Sequence, residues 1–152
     1  MFSVTALGRG FGAEAHGVDL SQPLSDSEFA TIRQAFLDHG VIFFRDQKMT
    51  IDQHKAFGRL FGELHMHPTS IRTESEHPEI LVIKADEHSK FVAGEEWHSD
   101  VSCDPEPPMG SILYMKEVPP DGGGRHRRGF SPCHSLRAGT RSPAVESSHC
   151  RF

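Results

Sequence analysis

Trp97-His98-Ser99-Asp100, followed by Pro107-Pro108 and then by Gly122-Gly123, is the stretch on which the reading of this chain turns. In a β-strand alternate side chains share a face, so His98 and Asp100 are expected to project together while Ser99 points away. One imidazole and one carboxylate at that spacing can share a metal ion. Non-haem Fe(II) sites that handle oxygen use two His and one carboxylate on one face, leaving positions open for co-substrate and O2. Such a site needs a second His far downstream. Spacing alone is weak evidence, because 11 His and 9 Asp in 152 residues give roughly 0.65 such pairs by chance. A polar pair in a loop is the alternative. His77-Pro78-Glu79 is a rival of the same form, and it ranks lower because the intervening proline lacks the N–H that a central strand requires.

Outward from this run, the chain reads as alternating short strands and two helices. Ser25-Asp26-Ser27-Glu28 has the form of a capping box, in which the Ser and Glu side chains satisfy free N–H groups at a helix start. Phe29, Ile32, Phe36 and Leu37 then fall on one face, and Gly40 suits a helix stop. A second helix is expected from Thr50, with Gln53 as its box partner, presenting Phe57, Leu60 and Phe61 and stopping at Gly62. Both helices read as scaffold. Val41-Ile42-Phe43-Phe44 and Ile80-Leu81-Val82-Ile83 are apolar on both faces, which predicts interior strands. Shorter strands fit Ala13–Val18 and Ser111–Met115. Lys84–Glu96 is charged, contains Gly94 and runs into the metal motif; it suits either a lid over a site that must exclude water or a solvated connector. No internal repeat, phosphate loop or nucleophile elbow is present, and Gly122-Gly123-Gly124 after Pro119-Pro120-Asp121 suits a turn.

From Gly12 to Gly123 the order of these features resembles the N-terminal half of the Fe(II)/2-oxoglutarate-dependent dioxygenases of the taurine dioxygenase type. The resemblance rests on Gly12-Ala13-Glu14-Ala15-His16-Gly17-Val18-Asp19-Leu20, on Gly40-Val41-Ile42-Phe43-Phe44-Arg45-Asp46-Gln47, and on the run from Phe57-Gly58-Arg59 through Phe61-Gly62-Glu63-Leu64-His65. Trp97-His98-Ser99-Asp100-Val101-Ser102 and Pro107-Pro108 complete a collinear series. The resemblance implies that His98 and Asp100 are two of three iron ligands, and that His67 lines a substrate pocket; a loop histidine beside Pro68 is the alternative for His67. It implies Fe(II) as metal, 2-oxoglutarate and O2 as co-substrates, and succinate and CO2 as by-products. Hydroxylation of a substrate carbon next to sulfur or oxygen would then release sulfite, sulfate or an alcohol. Ser70 stands where the taurine enzyme has an aromatic residue and Gly94 where it has an amide, so taurine itself is not the expected substrate.

Composition sets limits on the class of protein. The chain could form one domain with a modest core, although the resembled family needs about twice this length. No apolar run is long enough to span a bilayer, and the N-terminus does not read as a signal peptide. A cytoplasmic, non-membrane protein is therefore expected. Cys103, Cys133 and Cys150 form neither a C-x-x-C nor a zinc spacing and read as free thiols. The net charge of −5 conceals a break: residues 1–124 carry 10 Lys+Arg and 20 Asp+Glu, whereas residues 125–152 carry 6 Arg and one Glu.

That tail, with Arg125, Arg127, Arg128, Arg137, Arg141 and Arg151, shows no hydrophobic periodicity and is expected to be disordered. One reading makes it a basic arm. The other starts from the resemblance, in which the double glycine is followed by Asp-Thr, the Thr helping to hold 2-oxoglutarate. Encoded as CGA-CAC-CGN, Arg125-His126-Arg127 read one base later gives Asp-Thr. Ser135-Leu136-Arg137 as AGC-CTA-CGA, shifted the same way and continued into the codon of Ala138, gives Ala-Tyr-Glu, another segment of that family. A one-base change near codon 124 is thus expected. It would remove the 2-oxoglutarate Thr, the distal iron His and the Arg that pairs with the co-substrate. His126, His134 and His149 are the candidates left for a third ligand, and none is assigned.

The expected architecture is α+β, mainly β. It comprises a truncated double-stranded β-helix, or jelly roll, with flanking helices over residues 1–124 and a disordered out-of-frame tail over 125–152. The expected function is that of a 2-oxoglutarate-dependent dioxygenase acting on a sulfonate, alkyl sulfate or related small organic acid, in a truncated and inactive copy. No nucleic-acid partner is expected, and a homo-oligomer is left open. Two alternatives stand beside this: a small non-catalytic binding protein with a basic C-terminal arm, and a cupin-like metal protein with a different third ligand.

Overall fold

The structure, a computed structural model, describes residues 2–8, 10–66, 76–86, 88, 105–117 and 145–151, with Ala85 and 145–151 described through their backbone alone. It contains two compact units, Met1–Gly62 and Glu63–Phe152.

In the first unit, strand β1 (Ser3–Ala6) pairs antiparallel with β2 (Ala13–His16), in register from Ser3 opposite His16 to Ala6 opposite Ala13. Strand β3 (Ile42–Phe44) pairs with β2 in parallel. A parallel pair needs a crossover, and helix α1 (Asp26–His39) supplies it. The capping box forms as expected: the Glu28 N–H donates to Ser25 Oγ at 3.3 Å, and the Ser25 N–H donates to the Glu28 carboxylate at 2.9 Å. At the other end Gly40 adopts φ 70° and its N–H donates to the Phe36 carbonyl at 2.8 Å. That left-handed conformation suits glycine. A Cβ there would also lie 3.1 Å from the Phe11 ring.

The buried face of α1 centres on Ile32 and Ala35. Leu37, expected in the core, is 55% exposed, because five residues carry it about 140° around the helix from Ile32. Helix α2 (Ile51–Arg59) is capped by Thr50 and Gln53, whose reciprocal bonds measure 3.2 and 2.8 Å. It ends at Arg59 with Leu60 as cap, short of the expected stop at Gly62, and Leu60 is 45% exposed. The buried residues of this helix are His54, Lys55, Phe57 and Gly58, His54 lying about 120° around the helix from Leu60. Phe57 and Phe61 pack edge-on at 5.5 Å, Phe29 and Phe61 at 5.0 Å, and Phe44 and Phe57 at 5.7 Å. This ring cluster joins Ala13, Ala15, Leu20 and Ile32 in the core. Strand β3, expected in the interior, lies at the end of the order β1-β2-β3 and is half-buried along its length.

In the second unit, β4 (Ile80–Ala85) and β5 (Ser111–Glu117) each pair antiparallel with β6 (Val145–Arg151), giving the order β4-β6-β5. A register shift between Met115 and Glu117 marks a bulge in β5. Strand β4, also expected in the interior, stands at the end of this order; Ile80 is 4% exposed but Val82 is 47% exposed. The larger difference concerns the tail. Disorder throughout 125–152 does not hold for Val145–Arg151, which forms the central strand. Backbone N–H and C=O groups paired on both sides can hold a strand whose side chains carry no apolar alternation, and a reading from side-chain composition does not register that contribution.

Candidate active site

The chain runs from β4 to β5 through residues 86–110, and this connection carries His98 and Asp100. Because β4 and β5 are both antiparallel to β6, they are parallel to each other. His98 and Asp100 themselves lie outside the described residues, as does His67. Most of the expected lid, Lys84–Glu96, lies outside them as well, with only its first residues and His88 described.

The rival pair is described. The Ile80 N–H donates to the His77 carbonyl at 3.0 Å, so His77-Pro78-Glu79 forms the turn that enters β4. Pro78 therefore sits before the strand, where its missing N–H costs nothing. Among the described residues no group of three or more His, Cys, Asp or Glu side chains could hold a metal ion.

The first unit carries an open polar depression of about 380 Å³ lined by Val18, Asp19, Ser21, Arg45, Asp46, Gln47 and Lys48. Its shape depends on Gln47. The Gln47 Oε1 accepts the Leu20 N–H at 2.8 Å, while Nε2 donates to the carbonyls of Val18 at 3.0 Å and Arg45 at 2.9 Å. One side chain thereby ties the loop after β2 to the loop after β3. The neighbouring Asp46 takes a positive φ of 55°, a conformation that Asp tolerates better than most residues. Gln53 adds a second tie, donating to the Ser21 carbonyl at 2.9 Å.

The charges here are arranged for shape. Glu14 lies 3.5 Å from the Arg45 guanidinium and 3.7 Å from His16 Nδ1, and Arg45 stands over the Phe43 ring at 5.5 Å from its centroid. Asp19 is held below the ordinary aspartate value by hydrogen bonds from the Ser21 side chain and then its backbone N–H. Each polar group accounted for supports a turn or a strand end, so the depression reads as scaffold. The sequence signal for it was the Arg45-Asp46-Gln47 run, which stood in the resemblance without a role.

A family model described as "Taurine catabolism dioxygenase TauD, TfdA family" matches residues 3–127, and the chain belongs to that family. Among its relatives, an alkylsulfatase of Acinetobacter baylyi is 34% identical over 113 residues, covering 74% of this chain and 34% of the relative. An alpha-ketoglutarate-dependent sulfonate dioxygenase of Saccharomyces cerevisiae is 32% identical over 124 residues, covering 74% of this chain and 29% of the relative. The crystal structure of a taurine dioxygenase from Burkholderia xenovorans superimposes with a TM-score of 0.64 at 38% identity, over 80% of this chain and 42% of that one. The chain thus spans about a third of the length of the curated relatives it matches. No helix among the described residues is long and apolar enough to cross a membrane.

Proposed function

We propose that residues 1–124 are the N-terminal half of a double-stranded β-helix dioxygenase, dependent on Fe(II) and 2-oxoglutarate and acting on a sulfonate, an alkyl sulfate or a related small organic acid. The observation that carries this reading is the family match over residues 3–127, which encloses Trp97-His98-Ser99-Asp100. His98 and Asp100 are the two metal donors, and His67 contacts the substrate. Sulfonate and sulfate-ester chemistry comes from the names of the relatives, and the Ser70 and Gly94 departures argue against taurine. An iron ion so held would couple O2 reduction and 2-oxoglutarate decarboxylation to oxidation of the substrate carbon. The chain's own part would be to orient that carbon and keep water away.

We further propose that this 152-residue chain is an inactive copy, with its reading frame changed near codon 124. The family match ends at residue 127, where the charge balance reverses and Arg125-His126-Arg127 replaces the Asp-Thr of the family. Two ligands do not fix a facial geometry, and affinity depends on ligand count and on the groups that orient the ligands.

The test is a metal titration paired with an assay. Co(II) should bind the chain weakly and measured affinity should fall at least about tenfold in His98→Ala, in line with loss of a ligand or its supporting group. Succinate formation from 2-oxoglutarate, with and without sulfonates or alkyl sulfates, should not exceed the blank. Binding unaffected by His98→Ala would remove the metal assignment, and substrate-dependent succinate would remove the inactive reading. Sequencing of the genomic DNA across codons 122–128 should find an open frame one base away that encodes Asp-Thr and, later, a His and an Arg.

A further inference from the structure

We propose that the outer edge of β1 is a pairing surface for a second copy of this chain, joined antiparallel about a two-fold axis through Val4. The inference is independent of the dioxygenase reading. Strand β1 stands at the end of the order β1-β2-β3, and among the described residues no strand lies on its other side. The Leu7 N–H donates to the Gly12 carbonyl at 2.9 Å, which fixes the phase of the ladder. Counting back by twos, the backbone groups of Thr5 and Ser3 face β2, whereas those of Val4 and Ala6, and of Phe2 just before the strand, face outward. Such an edge is a template for another strand unless a charge, a proline or a bulge blunts it. Phe2-Ser3-Val4-Thr5-Ala6-Leu7 carries neither charge nor proline, and the register of β1 with β2 is unbroken. Ser3, Thr5 and Ala6 are exposed and Val4 is half-buried.

What selects a second copy is that this strand complements itself. Outward-facing groups must meet outward-facing groups, and setting Val4 opposite Val4 of the other copy engages Phe2, Val4 and Ala6 together, with Phe2 facing Ala6 and Ala6 facing Phe2. A shift of two residues either way carries one of them past the end of that run. The side chains agree with this register. Val4 and Ala6 stand opposite the buried Ala15 and Ala13, so Phe2, Val4 and Ala6 share the face toward α1. The rows formed there, Phe2 with Ala6 and Val4 with Val4, are all apolar. On the other face Ser3 meets Thr5, hydroxyl beside hydroxyl. Next to Val4 an open depression of about 460 Å³, lined by Ala30, Gln34, Ala35 and Asp38 among others, leaves room for the second valine. The ladder is short, so the association belongs at the weak end of protein interfaces, with a Kd between about 10 µM and about 1 mM.

Sedimentation of the full chain should show monomer near about 1 µM and dimer growing toward about 1 mM. Val4→Lys and Val4→Asp should each weaken the dimer about fivefold or more, and an equimolar mixture of the two should restore it, because in this register the position of Val4 meets itself. Far-UV circular dichroism matching the wild type separates a pairing defect from a folding defect. An independent readout is crosslinking in a chain carrying Cys103→Ser, Cys133→Ser and Cys150→Ser. Oxidation should link Ser3→Cys chains to Thr5→Cys chains when the two are mixed, since such facing residues lie about 4.5 Å apart at Cα, and either variant alone should link little. A chain still monomeric at about 1 mM would overturn the proposal. So would a dimer that withstands both charged variants, since its contact would lie elsewhere, and so would self-linking of Ser3→Cys as efficient as the mixture, since the axis would then not pass through Val4.

Discussion

The Met1–Gly62 unit and the β4-β6-β5 sheet are held by different means. In the first, specific side chains close each turn: Ser25 and Glu28 at one helix start, Thr50 and Gln53 at the other, Gly40 at a helix end, and Gln47 across two loops. A ring cluster and Ile32 fill its core. In the second, the central strand contributes a backbone ladder between two apolar strands. The family match over residues 3–127 takes in the first unit together with β4 and β5, and leaves out β6.

The sharpest way to break the comparison is to make similar cuts in both regions. Ile32→Ala, at a site 1% exposed, should cost about 2–5 kcal/mol in urea unfolding. Val82→Ala, at a site 47% exposed, should stay within about 0.5 kcal/mol. Comparable costs would mean that the sheet packs as tightly as the helical unit. Next in size is Gln47→Leu, which removes an acceptor and two donors from the backbone of Val18, Leu20 and Arg45. It should cost about 1–3 kcal/mol; an unchanged midpoint would make the amide dispensable. Thr50→Ala should cost about 1 kcal/mol through the lost cap, measurable as a shift in thermal midpoint, with Thr50→Ser restoring most of it.

The smallest expected effect is one of pH. Glu28 lies below the ordinary glutamate value because the Ser25 side chain, and then its backbone N–H, bind the ionised form. A carboxylate depressed in the folded state stabilises it at pH above the unfolded value, and the contribution disappears as pH falls through the folded value. Helix content in the wild type should thus fall more steeply with acid than in Glu28→Gln, the gap closing below the folded value. Parallel curves measured by circular dichroism would dismiss the capping carboxylate as a contributor.

The helix starts were legible because a capping box is a local contract between residues three apart, as at Ser25 and Glu28. Gly40 was legible because few other residues tolerate its backbone angle. Leu37 and Leu60 differ from expectation for one reason: apolarity suggested burial, whereas the angle around each helix decides it, leaving both leucines exposed. Strand β1 carries only a faint signal, in Val4 and Thr5, both β-branched. Strand β6 carried none, since Glu146-Ser147-Ser148-His149 has no apolar period and its place depends on β4 and β5. Of the site, the His98 and Asp100 motif was read from spacing and resemblance, and both residues lie outside those the structure describes.

The central position of β6 has a consequence for synthesis. Strands β4 and β5 leave the ribosome before the strand that separates them, and the codons between Glu117 and Val145 take roughly 1–6 s to translate. Over that interval Ile80–Ile83 and Ile112–Met115 exist without their shared partner, as two short apolar strands of a nascent chain. That exposure is long compared with the microseconds in which hairpins form, so the fate of each new molecule is set by what meets those strands first, a chaperone, another nascent chain or its own arriving strand.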